Sequence, residues 1–140
     1  MLDAFIDADN FESASFMFLV TEYVECDLEK IICLNTKLED FSEKTVTAIL
    51  YNLLCALKFL HDCKIIHRDI KPANILINSE CSIFITDFGL SRKMKQKRAM
   101  SPHVYTRYYR APEVILMQEY NETADIWSLG CILADLLLAK

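Results

Sequence analysis

Hydrophobic positions along this chain change their period repeatedly, and each change predicts an element. The apolar run Phe16-Met17-Phe18-Leu19-Val20 has strand length and follows an acidic, irregular stretch from Asp7 to Ser15. A polar exit runs from Thr21 to Leu28, and Leu28 to Leu38 reads as a short helix and loop. After Ser42, a residue type that caps helices, Val46, Ile49, Leu50, Leu53, Leu54, Leu57 and Leu60 recur at spacings of three and four. This predicts a helix over about 42–62 with one buried face, while Lys44, Tyr51 and Lys58 fall largely elsewhere. Two short strands follow, Ile75 to Asn78 and Ser82 to Thr86, around the turn Ser79-Glu80-Cys81. Last comes a helix over about 123–140, in which Ile126, Trp127, Leu129, Ile132, Leu133, Leu136 and Leu137 leave almost no polar face. Such a helix is expected to be buried all round.

Between the first long helix and the strand pair lies a polar cluster, His67 to Asn74, with Ile65-Ile66 before it and Ile75-Leu76-Ile77 after it. A loop held between buried segments is where function concentrates. Asp69 stands beside Arg68 and two residues before Lys71, so its neighbours favour the charged form that suits a proton acceptor. Asn74 adds a neutral oxygen. Asp87-Phe88-Gly89 closes the second strand, and the hairpin brings Asp87 and Asn74 together, a hard-oxygen pair suited to Mg2+ held jointly with phosphates. Gly89 is expected to let the chain turn sharply after Asp87. The long helix is structural on this reading, carrying the chain rigidly to the loop.

Composition narrows the class. A chain of 140 residues is one domain able to bury a core of its own. Hydrophobic residues make up 53% of it against two glycines and three prolines, which predicts a globular, helix-rich piece too apolar to be complete. The net charge of -5 argues against general attraction to nucleic acid or anionic membranes. Cys26, Cys33, Cys55, Cys63, Cys81 and Cys131 sit in apolar segments without a CxxC, so reduced, buried thiols are expected, and the histidines have no zinc spacing. The amino terminus lacks the basic start and long apolar core of a signal peptide. The most apolar run, Ile126 to Ala139, is about 14 residues and contains Asp135, too short and too polar to span a bilayer. An intracellular protein without membrane insertion is expected.

The motifs then assemble. His67-Arg68-Asp69 with Lys71 and Asn74, Asp87-Phe88-Gly89, Ala111-Pro112-Glu113 and Asp125-Ile126-Trp127-Ser128-Leu129-Gly130 resemble, in order and spacing, the signature set of serine/threonine protein kinases. Val104 to Leu116 closely resembles the mitogen-activated protein kinases and their proline-directed relatives. The resemblance implies an α+β, protein-kinase-like fold that is partial, comprising the hinge and the first half of the mainly helical large lobe. It implies a fifth strand and hinge at about 16–28, a catalytic loop at 67–74, an activation segment at 87–113 and a central buried helix at about 123–140.

It also implies ATP and Mg2+ as cofactors. Asp69 would accept the proton of a serine or threonine hydroxyl, Lys71 would steady the phosphoryl group, Asn74 and Asp87 would hold metal, and Thr106 would line the acceptor site. Thr21 would be the gatekeeper, the backbone of Glu22 and Val24 would meet the adenine, Asp27 the ribose, and Leu76 would form the adenine's floor. A strand, a solvated turn and simple packing of Leu76 would explain those positions as well. Asp125 would hold the backbone near His67 and Arg68, and a first-turn helix acid is an equally good account of it.

Ser91 to Arg98 is a basic run, as a rule a solvated face, and in the resemblance part of the activation loop. A phosphate on Ser101 could be gripped by Arg68 and Arg92. Where the relatives carry a Thr-x-Tyr pair this chain has Ser101-Pro102-His103, and histidine cannot take a tyrosyl phosphate. Arg107 and Arg110, the grip for that phosphate, are left a weaker partner. The implied partners are protein substrates with Ser/Thr-Pro sites and an upstream activating kinase, with no nucleic acid, in the cytoplasm or nucleus. No Gly-x-Gly-x-x-Gly, strand lysine of the Val-Ala-Ile-Lys type or matching helix glutamate occurs, and the arginine expected to pair with Glu113 lies past Lys140. The expectation is a fragment, inactive alone, of an active kinase; the rival is a truncated, non-catalytic binding or decoy module.

Overall fold

The chain begins with a strand that its hydrophobic pattern does not predict. In the computed structural model, which describes residues 1–8, 10–33, 42–94 and 108–138, β1 (Asp3–Ile6) pairs antiparallel with β2 (Met17–Val20) in the register Asp3↔Val20. No side chain of either strand is fully buried, so no inside-outside alternation marks β1. Pairing and a turn clamp define it instead: Asp7 Oδ1 accepts hydrogen bonds from the backbone N–H of Ser15 at 2.9 Å and of Phe16 at 3.0 Å. Phe5 stacks on Phe18 with centroids 5.0 Å apart.

A second sheet sits beside the loop of interest. β3 (Cys26–Asp27) pairs with β5 (Ile75–Ile77), which pairs with β6 (Ile83–Ile85), all antiparallel. The predicted hairpin is therefore present, one residue shorter at the end of its first strand and at both ends of its second. α1 (Leu28–Cys33) leaves β3 directly, and residues 34–41 lie outside the described part.

α2 (Glu43–Asp62) starts at Ser42, whose Oγ accepts from Thr45 N at 3.3 Å and so satisfies one of the free donors of the first turn. Val46, Ile49, Leu53, Leu57 and Leu60 are buried, as the spacing predicts, but Leu54 is 43% exposed, because it falls past the edge of the apolar face. This face packs on α4 (Thr123–Leu138) in one core with Leu28, Ile70, Ile75, Ile77, Ile132 and Leu136. Helix, loop and sheet thus share a single core. Rigidity passes from α2 and α4 to the loop between them.

Two expectations are corrected. α4 is not buried all round: Ile126, Trp127 and Leu137 are 44%, 50% and 50% exposed, because among the described residues α2 covers one face and Ala111, Val114 and Tyr120 cover Ala124 near its start, which leaves the face of these three residues uncovered. The cysteines are free, yet none is buried; Cys33, Cys55 and Cys63 are exposed and the rest half-buried, since their apolar segments turn them toward uncovered faces. Among the described residues no helix is long and apolar enough to cross a membrane.

Candidate active site

A strained turn aims the polar loop. β4 (Ile65–Ile66) pairs with β7 (Arg92–Lys93), and immediately afterwards Arg68 adopts φ 73°, a left-handed conformation unusual for a side chain of this size. Such strain, of order 1–3 kcal/mol, persists only where neighbours over-determine it. Here the neighbour is Asp125, 1% exposed in the first turn of α4. Its Oδ1 accepts from Arg68 N at 2.8 Å, and its Oδ2 accepts from His67 N at 2.9 Å and contacts His61 Nε2 at 2.9 Å. No sequence signal marks His61 for this contact. It lies in the last turn of a helix whose pattern speaks only of packing.

His67 is fully buried. Its Nε2 lies 3.0 Å from the Thr86 carbonyl and its Nδ1 accepts from Asp69 N at 3.3 Å, which requires a neutral ring with the proton on Nε2. Burial pushes its pKa below the ordinary 6.5, against weaker opposing pulls from the Thr86 carbonyl and from Asp125, Asp69 and Asp87. The sign follows: the unfolded chain protonates first, so this histidine's contribution is present above about pH 6.5 and is lost as pH falls through the lower folded value. Urea midpoints between about pH 7 and about pH 5 should therefore fall more steeply in the parent than in His67→Gln. Parallel slopes would show that this ring does not titrate as described.

Asp69 is 6% exposed. Its Oδ2 accepts from Lys71 Nζ at 2.8 Å and from Asn74 Nδ2 at 3.0 Å, and Asn74 Nδ2 also reaches the Asp69 carbonyl at 2.9 Å. Its Oδ1 has Arg110 Nη2 at 3.9 Å. The expectation that Arg68 flanks this carboxylate is corrected. The left-handed turn carries the Arg68 side chain away, its guanidinium carbon 5.8 Å from the centre of the Tyr120 ring, and Lys71 and Arg110 supply the positive charge instead.

Asn74 and Asp87 are joined through the residue between them in space. The Asn74 carbonyl accepts from Thr86 N at 2.9 Å and Thr86 Oγ1 at 3.2 Å. Asp87 is exposed with φ 60°, so the sharp turn belongs to the aspartate itself and not to Gly89; no described glycine has a positive φ. Gly89 serves another purpose. Its N–H reaches Asp87 Oδ1 at 3.3 Å, and a Cβ there would lie 3.1 Å from the same oxygen. Oxygen donors, one charged and one neutral, suit a hard cation that takes its remaining ligands from phosphate and water. Phe88 sets its ring edge on His67, centroids 5.0 Å apart.

The remaining expected residues divide. Thr21 and Glu22 are exposed and Val24 is half-buried, while Asp27 pairs in register with Leu76 and so brings the exit strand beside the loop. Asp27 Oδ1 also accepts from Lys30 N at 2.8 Å and its Oδ2 pairs with Lys30 Nζ at 3.0 Å, capping α1. Burial pushes its pKa up, but the hydrogen bonds and charge of Lys30 outweigh that, and the net direction is down. Ser101, Pro102, His103, Thr106 and Arg107 lie outside the described residues. The stretch leading to Arg110 is tied to α4 by Tyr109 Oη donating to Asp135 Oδ2 at 2.6 Å and Ser128 Oγ donating to the Tyr109 carbonyl at 2.6 Å. Neither tether is legible in the sequence, since a serine and an acid on an apolar helix carry no distance information.

A carboxylate with one oxygen held by an ammonium and an amide, and the other without a hydrogen bond among the described residues, is a group that can accept a proton. Residues 6–140 match the protein kinase domain. Mitogen-activated protein kinase 13 of Mus musculus is 43% identical over 141 residues, which cover 100% of this chain and 37% of that protein. The stress-activated protein kinase JNK of Drosophila melanogaster is 42% identical over 98% of this chain and 36% of its own length. Mitogen-activated protein kinase 14 of Xenopus laevis is 41% identical over 100% of this chain and 37% of its own. The chain thus spans little more than a third of these curated relatives. It belongs to the protein kinase family, with mitogen-activated protein kinases among its relatives along its length.

Proposed function

We propose that the protein transfers the terminal phosphoryl group of Mg-ATP to serine or threonine hydroxyls that precede proline in protein substrates, within a mitogen-activated protein kinase type of cascade in the cytoplasm or nucleus. The observation that carries this reading is the asymmetric hold on Asp69. Lys71 and Asn74 fix Oδ2, while no hydrogen bond among the described residues occupies Oδ1, which faces the task of accepting the substrate's proton. In the transfer the hydroxyl oxygen bonds to phosphorus, the bond from phosphorus to the bridging oxygen breaks, ADP departs and the proton passes to Asp69. Lys71 steadies the phosphoryl oxygens, and Asn74 and Asp87 hold the cation, which when bound offsets phosphate charge. Thr21, Glu22, Val24, Asp27 and Leu76 frame the nucleotide, and Thr106 lines the acceptor site.

Phosphate transfer to a Ser-Pro peptide should exceed that to its Ser-Ala counterpart by at least about tenfold. Equal rates would sink proline direction, while no transfer to either by this chain alone fits the expected inactive fragment as well as the rival binding module. Calorimetry gives a second check. Mg-ATP binding by the chain should be lost in Asp87→Ala, and binding that survives the substitution would remove Asp87 from the site.

Regulation by Ser101 phosphate is part of the same reading. Burial pushes the pKa of Arg68 down, Tyr120 and Asp125 oppose that, and the charges of Arg92 and Arg110 add to it, a positive environment that an arriving anion would relieve. Ser101→Ala should lose most activation by the upstream kinase, and a variant activated as well as the parent would remove Ser101 from regulation.

A further inference from the structure

The solvent side of α2 carries a pattern of its own, apart from the one that packs the core. Lys44, Ala48, Tyr51, Cys55, Lys58 and Asp62 recur at alternating spacings of four and three, and every one of them is exposed. That alternation keeps side chains on one line along a helix and forms the seam by which two helices pair. Tyr51 is 67% exposed between Ala48 and Cys55, and Phe59 at the flank of the seam is 68% exposed, apolar area that a second helix would cover. The two ends of the seam carry the wrong charges for their own helix. Lys44 stands in the first turn, where the backbone dipole is positive, and Asp62 is the last residue, where it is negative. Lys58 answers Asp62 at 2.7 Å, but Lys44 has no ion pair among the described residues. Charges misplaced on one helix are well placed for a second helix running the other way.

We infer that the protein associates with a second copy of itself through this face, α2 against α2 and antiparallel, with the two-fold axis passing midway between Tyr51 and Cys55. In a two-fold interface each contact occurs twice, once from either copy. The seam is self-complementary under that operation. Tyr51 meets Cys55 of the other copy, Ala48 leaves room for the stem of Lys58, and Lys44 meets Asp62. Phe59 comes opposite Thr47 and enters the open groove that Glu43, Lys44, Thr47, Ala48 and Tyr51 line. A parallel pair would instead set Lys44 against Lys44 and Asp62 against Asp62. Apolar cover supplies the affinity, and the charges set direction and register. An interface one 20-residue helix long lies at the small end of specific contacts, which corresponds to a Kd on the order of 10–100 μM. The pairing is independent of the reaction assigned to Asp69.

The test is sedimentation equilibrium of the full chain and of its Lys44→Glu and Asp62→Lys variants, each alone and the two mixed. The parent should pass from monomer to dimer across the range given. Each variant alone sets like charges together at both ends of the seam, and should self-associate at least about tenfold more weakly than the parent. Mixed in equal amounts, the two variants should recover the parent's affinity, because each supplies the charge that the other lacks. Weakened variants with a recovered mixture belong to the antiparallel pair alone; in a parallel pair each variant would still set like charges together and would associate as the parent does. A parent that stays monomeric well above that range overturns the dimer and leaves the face to a partner of another kind. Variants that associate as tightly as the parent show that another surface joins the copies, such as the hairpin of β1 and β2 with its exposed Phe5 and Phe18, and they overturn it as well. A mixture no tighter than its components does the same. Should either variant fail to fold by circular dichroism, Tyr51→Arg takes its place: two guanidinium groups beside the axis should leave a monomer, and a dimer as tight as the parent's overturns the pairing.

Discussion

On the proposed function, Asp69→Asn should lower phosphoryl transfer by about 10²–10⁴-fold, the range of a lost general base, while Mg-ATP binding should change by less than about twofold. The substitution keeps the shape of the side chain, and an amide oxygen can still accept from Lys71 Nζ or Asn74 Nδ2 at the position of Oδ2. What it removes is the ability to take a proton at the other oxygen. The ion pair with Lys71, whose side chain is 18% exposed, is also lost, so the variant is somewhat less stable and rates must be compared on folded protein. Steady-state turnover with a peptide substrate and calorimetry with Mg-ATP separate the two effects. Turnover within about threefold of the parent would remove Asp69 from the chemistry. Equal loss of binding and turnover would mean that Asp69 supports the nucleotide site instead.

The parts of the site legible in the sequence are those set by short-range chemistry. Ser42 announces α2 because a cap must precede the first turn, and Val46, Ile49, Leu53, Leu57 and Leu60 announce its face because a helix repeats every 3.6 residues. The hairpin of β5 and β6 follows from two apolar runs around a polar turn, and it determines that Asn74 and Thr86 meet. Less legible is whatever depends on how separate elements lean on each other. Arg68 and Asp69 are neighbours in sequence, yet a left-handed turn separates their side chains, and Arg110 reaches Asp69 from far along the chain. His61 and Asp125 meet across 64 positions. Burial of α4 and of the cysteines departs from expectation for the same reason: hydrophobicity states what a residue favours, not which surface is at hand to cover it.

Asp125→Ala destabilises the folded chain by about 3–5 kcal/mol, a large share of the roughly 5–15 kcal/mol of a typical domain. Asp125 is 1% exposed, and its removal strands the N–H groups of His67 and Arg68 and the His61 ring without acceptors. Each orphaned donor costs about 1–3 kcal/mol where water cannot reach it, and partial relaxation keeps the total below their sum. Arg68 is the natural place for that relaxation, because its φ of 73° is compelled by the bond to Asp125 Oδ1. Urea denaturation measures the loss, and hydrogen exchange locates it at the His67 and Arg68 amides. Asp125→Asn separates folding from aim: it keeps one acceptor and most of the volume, so it should fold, but its amide sets a donor against another donor. In that variant turnover falls with little change in KM, because Asp69 follows Arg68 directly and shares its displacement. A loss under about 1 kcal/mol in Asp125→Ala, with both amides still protected, would mean that other contacts hold the turn, and would move the origin of the Asp69 geometry to Lys71 and Asn74.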